Sequence, residues 1–172
     1  MKDLLPAARK IGYLWAPESS IMSARTEQAR IAAQKLDIDL VSLPVTSSAD
    51  FSKIFARVDE EQFAALLVES DALLTRFSAT IVDECLVRDL PAMHAWPFEV
   101  RSGALIAYGP ALTENNPGAA RYIDLILKGT RVSNLPIQEP TQIELAINLR
   151  TARSIHITVP PSILARANEV IE

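Results

Sequence analysis

Nine side chains of this 172-residue chain have the types and spacing to recognise a small polar molecule. They fall in three stretches: Trp15, Glu18, Ser19 and Ser20; Glu69 and Asp71; and Trp96, Phe98 and Glu99. The carboxylates of Glu18, Glu69 and Asp71 could receive an ammonium group, and a helix start at Ser19-Ser20 could receive a carboxylate. The aromatic rings would supply contact area. Every one of these residues has a plainer reading beside the functional one. Ser19 or Ser20 is first a helix N-cap, Asp71 either caps a helix or touches ligand, and Trp15 and Trp96 are equally at home in a core or an interface. Glu69 ends an apolar segment, where a carboxylate is costly unless paired or solvated.

The elements that would carry these residues follow from periodicity and punctuation. Lys10–Trp15 is an apolar strand stopped at Ala16-Pro17, and a helix runs from Ser19-Ser20 to about Leu36 with Ile21, Ala24, Ala29, Ala32 and Leu36 on one face. Ile38–Leu43 alternates as a second strand. Phe51, Ile54, Phe55 and Val58 show the i, i+3, i+4, i+7 spacing of an amphipathic helix. Ala64–Val68 reads as a strand buried on both faces, followed by a helix with Leu74, Phe77, Ile81 and Cys85 on one stripe. Leu90–Trp96 and Ala104–Tyr108 are the next strands, Gly118–Lys128 a helix closed by Gly129, and Ile143–Asn148 the last strand. Two short helices, Leu149–Ser154 and Ser162–Ile171, are expected to finish the chain. Repeated strand–helix alternation with short connections predicts an α/β doubly wound domain, a mostly parallel sheet with helices on both faces. With the flavodoxin-like order 2-1-3-4-5, the strand order reverses between the first and third strands, and the three nominated stretches share that crevice.

Composition narrows the chemistry. Lys+Arg 17 against Asp+Glu 21 gives a net charge of −4, with no basic stripe for nucleic acid or an anionic membrane. The longest apolar run, Phe63–Val68, is six residues, against the ~20 needed to span a bilayer. One cysteine and two histidines offer no metal cage, and no metal or cofactor is expected. The chain has no G-x-G-x-x-G, no G-x-x-x-x-G-K-[ST] and no G-x-S-x-G. Cys85 reads as packing and His94 as a hydrogen-bonded core residue. Catalysis is not expected.

Seven segments together resemble the substrate-binding proteins of ABC transporters, in the branch related to tryptophan or amino-acid binders. They are KIGYLWAP at Lys10–Pro17, AALLVESD at Ala64–Asp71, Leu90–Ala92, GALIAYGP at Gly103–Pro110, YIDLILKG at Tyr122–Gly129, LPIQEPTQIELAINLRTA at Leu135–Ala152 and VPPSILARANEVIE at Val159–Glu172. The resemblance implies one lobe of a two-lobed periplasmic binding fold of the type I kind. Such a protein closes over a small polar molecule such as an amino acid and presents it to a membrane permease. Trp15, Glu18 and Ser19 match the loop where the family has W-N-P, Asp71 the Asp of its P-D, and Trp96–Glu99 its aromatic loop. The family's Asn is Ala16 here, its Pro is Ser70, and TENNPG at Thr113–Gly118 replaces a more helical stretch. The chain corresponds to the second lobe and closing segments, without the first lobe. Surface that normally packs on the first lobe, the helix near Tyr122–Leu127 above all, should then be apolar and exposed, and a homodimer or higher oligomer is expected. The family is periplasmic; no secretion signal is recognisable near Met1, which would make the chain cytoplasmic if that start is native. The alternative is a stand-alone oligomeric scaffold or small-molecule-responsive regulator that has lost transport.

Overall fold

The computed structural model describes residues 1–18, 22–111, 115–137 and 142–172. Seven strands form a single sheet in the order β2-β1-β3-β4-β5-β6-β7. They are β1 (Lys10–Trp15), β2 (Asp39–Pro44), β3 (Ala65–Val68), β4 (Ala92–His94), β5 (Ile106–Pro110), β6 (Ile143–Asn148) and β7 (Glu169–Ile171). The first five run parallel, β6 is antiparallel to β5, and β7 is parallel to β6. The expected α/β doubly wound architecture and the reversal between β1 and β3 are both present.

The helices are α1 (Met22–Lys35), α2 (Asp50–Glu61), α3 (Ala72–Arg76), α4 (Ser78–Leu86), α5 (Pro97–Arg101), α6 (Asn115–Leu127), α7 (Leu149–Ser154) and α8 (Pro161–Leu164). Helix α2 buries Phe51, Ile54, Phe55 and Val58, as its spacing requires. They join Leu14, Leu43, Leu66, Leu74, Ile81 and Cys85 in the main core on one side of the sheet. On the other flank Leu4, Ile106, Leu145, Ile147, Ile155 and Ile163 form a second cluster.

Four sequence expectations need correcting. Helix α1 is buried along Met22 and Ala33, with Thr26 and Ala29 half-buried, whereas Ala24, Ala32 and Leu36 face solvent. Alanine tolerates either environment, so it marks the phase of a helical stripe poorly. The helix after β3 is two helices broken at Phe77 (φ −102°, ψ 15°), whose ring meets Phe51 edge-on at 5.5 Å. The final helix stops at Leu164, and Glu169–Ile171 adds a strand to β6. Asn168 starts that pairing: its backbone N–H donates to Leu145 O at 2.8 Å and its side chain accepts from Leu145 N at 2.9 Å. Finally, α6 begins at Asn115, so residues 115–118 of the TENNPG segment are helical; Thr113 and Glu114 lie outside the described residues.

Cys85 is buried, and burial pushes its thiol up to about 12. A thiol-specific colorimetric reagent is therefore expected to read no thiolate in the native chain and one equivalent after denaturation. Rapid labelling under native conditions would contradict that packing.

Candidate functional site

The carboxyl ends of β1, β3 and β4 open onto one cleft of about 720 Å³, lined by Met22, Arg25, Ser70, Asp71, Ala72, Thr75, Arg76 and Trp96. It lies where the strand order reverses, the place an open α/β sheet offers a ligand. Two aligned arrays supply the polar groups. Asp71 follows β3 as the N-cap of α3, with Oδ1 accepting from Leu73 N at 2.7 Å. Ala72, Thr75 and Arg76 then share one face at i, i+3, i+4 spacing. Opposite them α1 contributes Met22 and Arg25, and β4 leads to the indole of Trp96.

Glu69 is saturated from within. Tyr13 donates its hydroxyl to Oε2 at 2.6 Å, while Arg25 (3.0 Å) and Ser70 N–H (3.0 Å) donate to Oε1. Burial and this hydrogen bond raise the pKa of Tyr13, which therefore remains a donor. Glu69 thus serves to anchor Arg25 rather than to stand open to an ammonium group. The arginine side chain remains 47% exposed, with donors to spare beside the cleft.

The nominated residues therefore divide. Asp71 and Trp96 line the cleft, and Glu69 sits behind it. Trp15 turns toward β2, donating its indole N–H to Ser42 Oγ at 2.8 Å. Glu18 and Phe98 are exposed without lining the cleft. Glu99 is 3% exposed. The Trp96–Glu99 stretch is not a loop: Pro97 opens α5, and Glu99 folds back to accept Trp96 N–H at 3.2 Å. Ser19 and Ser20 lie outside the described residues. Sequence reasoning missed Met22, Arg25, Thr75 and Arg76. The spacing of Ala72, Thr75 and Arg76 behind Asp71 was the available signal.

Among the described residues no group of three His, Cys, Asp or Glu side chains could hold a metal ion. His94 is in the core, 1% exposed, but neither ring nitrogen makes a hydrogen bond of good geometry.

A cleft at the switch point of a doubly wound sheet, with cationic and anionic groups around an aromatic wall, has the place and the chemistry to accommodate a small molecule. The chain matches the family model "ABC transporter substrate binding protein" over residues 1–171, and it belongs to that family. Two solved structures share the fold closely. A conserved domain protein from Vibrio cholerae superposes with a TM-score of 0.90 at 24% identity, over 98% of this chain and 57% of its own. An ABC domain from Streptococcus pneumonia in complex with L-Trp gives 0.88 at 22% identity, over 99% and 59%. A ligand-free, open substrate-binding protein with adhesive properties from Clostridium difficile follows at 0.71 and 17% identity, over 99% and 57%. This chain thus spans less than two thirds of the length of each. No curated protein sequence matches it.

Proposed function

We propose that this chain is the second-lobe half of a solute-binding protein serving an ABC importer, and that it binds an amino acid without catalysing a reaction. The observation that carries this reading is the composition of the cleft wall. Arg25 and Arg76 can face a carboxylate, Asp71 an ammonium group, and Trp96 with Met22 an apolar side chain. Family membership and the L-Trp bound by the pneumococcal relative support the same class of ligand. The partner is then a permease in the membrane that bounds a periplasmic or otherwise extracytoplasmic space. No described helix is long and apolar enough to cross a membrane.

One wall buries less of a ligand than a closed two-lobed cleft, so binding to this chain alone should be weak, on the order of millimolar. Isothermal titration with L-tryptophan, tryptamine and indole-3-propionate tests the reading. L-Tryptophan is expected to bind, and removing its carboxylate (tryptamine) or substituting Arg25→Ala should each weaken binding about tenfold, the loss of one charge-assisted pair. Equal affinity for all three compounds, or an Arg25→Ala variant that binds L-tryptophan undiminished, would contradict the zwitterion reading.

The alternative of an interaction scaffold draws on α6. Ile123 (58% exposed), Ile126 (42%) and Leu127 (82%) form an uncovered apolar stripe, continued by Val132 and Ile137. We infer that a second folded body covers it: another copy of this chain here, the first lobe in a longer form of the protein.

A further inference from the structure

His94 and Glu99 form a pair behind the cleft wall that the binding reading does not use. His94 ends β4 and Glu99 occupies the first turn of α5; both are almost wholly buried. Glu99 Oε2 accepts Trp96 N–H at 3.2 Å, and Glu99 Oε1 lies 3.3 Å from His94 Nδ1. His94 also lines a cavity of about 10 Å³ whose other walls include Val82, Leu86, Leu90 and Cys85. Among the described residues, the titratable groups facing it are Glu99 from α5 and Cys85 from α4, the latter held neutral by burial; Thr151 of α7 and Ile155 just past its end add no titratable group.

The carboxyl group of Glu99 has Trp96 N–H on Oε2, and at this depth a second donor on the side of Oε1 would stabilise it further. A neutral imidazole has one N–H to give. His94 Nδ1 and Glu99 Oε1 stand 3.3 Å apart without hydrogen-bond geometry; a proton on Nδ1 would favour their approach, whereas one on Nε2 would leave lone pairs opposed across that distance. We propose that His94, with its proton on Nδ1, is a positioning residue for the binding site: it holds Glu99, and Glu99 holds Trp96 at the start of α5. The orientation of the aromatic wall is then set by a proton buried between β4 and α5. The importance of that wall to a ligand rests on the solute-binding reading; the positioning itself does not.

The two tryptophans make the test clean. In a Trp15→Phe background, fluorescence reports Trp96 alone and needs no ligand. His94→Leu keeps the volume and removes the donor; it is expected to shift Trp96 emission and raise its acrylamide quenching. His94→Gln restores an N–H donor and should bring both back toward the parent values. A residue that merely fills space would behave oppositely, with leucine silent, and a silent His94→Leu overturns the proposal. Nitrogen-15 NMR on the unsubstituted chain decides the matter even where His94→Leu fails to fold. Protonated Nδ1 is expected, and a neutral ring carrying its proton on Nε2 overturns it. Where L-tryptophan binds the parent, His94→Leu should raise its Kd several-fold through the displacement of Trp96, without abolishing binding. Failure of L-tryptophan to bind the parent would overturn the ligand assignment while leaving the fluorescence result standing.

Discussion

Gly109→Ala is expected to cost about 2–3 kcal/mol of stability, a fall of roughly 5–10 °C in Tm. A Cβ at this position on β5 would sit 2.1 Å from the carbonyl oxygen of Ala95. The obstructing atom is backbone, so no rotamer change relieves it; the β4–β5 spacing must widen or the Ala95 peptide must turn. Ala95 directly precedes Trp96, so the displacement is delivered to the aromatic wall of the cleft, and weakened ligand binding should accompany the lost stability. Gly12 provides the comparison. Its Cβ would meet Leu66 Cδ2 at 2.6 Å and Leu43 Cδ1 at 2.7 Å, the movable tips of side chains. Gly12→Ala should therefore destabilise less and leave the cleft undisturbed. Thermal unfolding followed by circular dichroism measures both, and equal losses in the two variants would contradict the distinction.

The sheet was legible because its signals are redundant: apolar runs such as Ala65–Val68, bounded by polar and proline-containing turns, can be little but buried strands in this pattern. Helix α2 was legible because large side chains define its stripe. Helix α1 was not, since beyond Met22 its inward face is built from Thr26, Ala29 and Ala33, residues whose transfer energies barely separate core from surface. The tail failed for a different reason. Glu169–Ile171 is too short to show a period, and it becomes a strand only because β6 offers an edge.

At the site, loop positions could be inferred from topology alone, which is why Asp71 and Trp96 were found. What topology does not reveal is the side-chain pairing that decides which charges remain open. Glu69 looks like a ligand carboxylate until Tyr13 and Arg25 are seen upon it. Arg25 looks like a solvated helix charge until Glu69 is seen holding it beside the cleft. Glu99 had a readable signature, a glutamate two residues after a proline at a helix start, and that pattern points inward to the helix end rather than outward to a ligand.

The other large effect expected is on association. Helix α6 lies in the chain between the ends of β5 and β6, where Pro110 pairs with Ile143 and Ala111 N–H donates to Gln142 O at 3.0 Å. Tyr122 OH donates to Pro136 O and folds the return segment against the helix. The exposed stripe is graded by size, with Ala119 and Ala120 toward one end and Ile126 and Leu127 toward the other. An antiparallel pair of α6 helices would set small residues against large ones, an arrangement that a two-fold axis allows. In such an interface each substitution acts twice. Leu127→Glu buries two carboxylates against apolar surface and forfeits two leucine contacts, about 3 kcal/mol or more in total, so the dimer dissociation constant should rise at least ~100-fold. Sedimentation velocity over a dilution series is expected to show a dimer for the parent chain and a monomer for Leu127→Glu, with unchanged far-ultraviolet circular dichroism. A longer form that supplies the first lobe should be monomeric, because the same face is then occupied within one molecule. A parent chain that stays monomeric at every concentration would remove self-association from the proposal and leave the α6 stripe to that lobe alone.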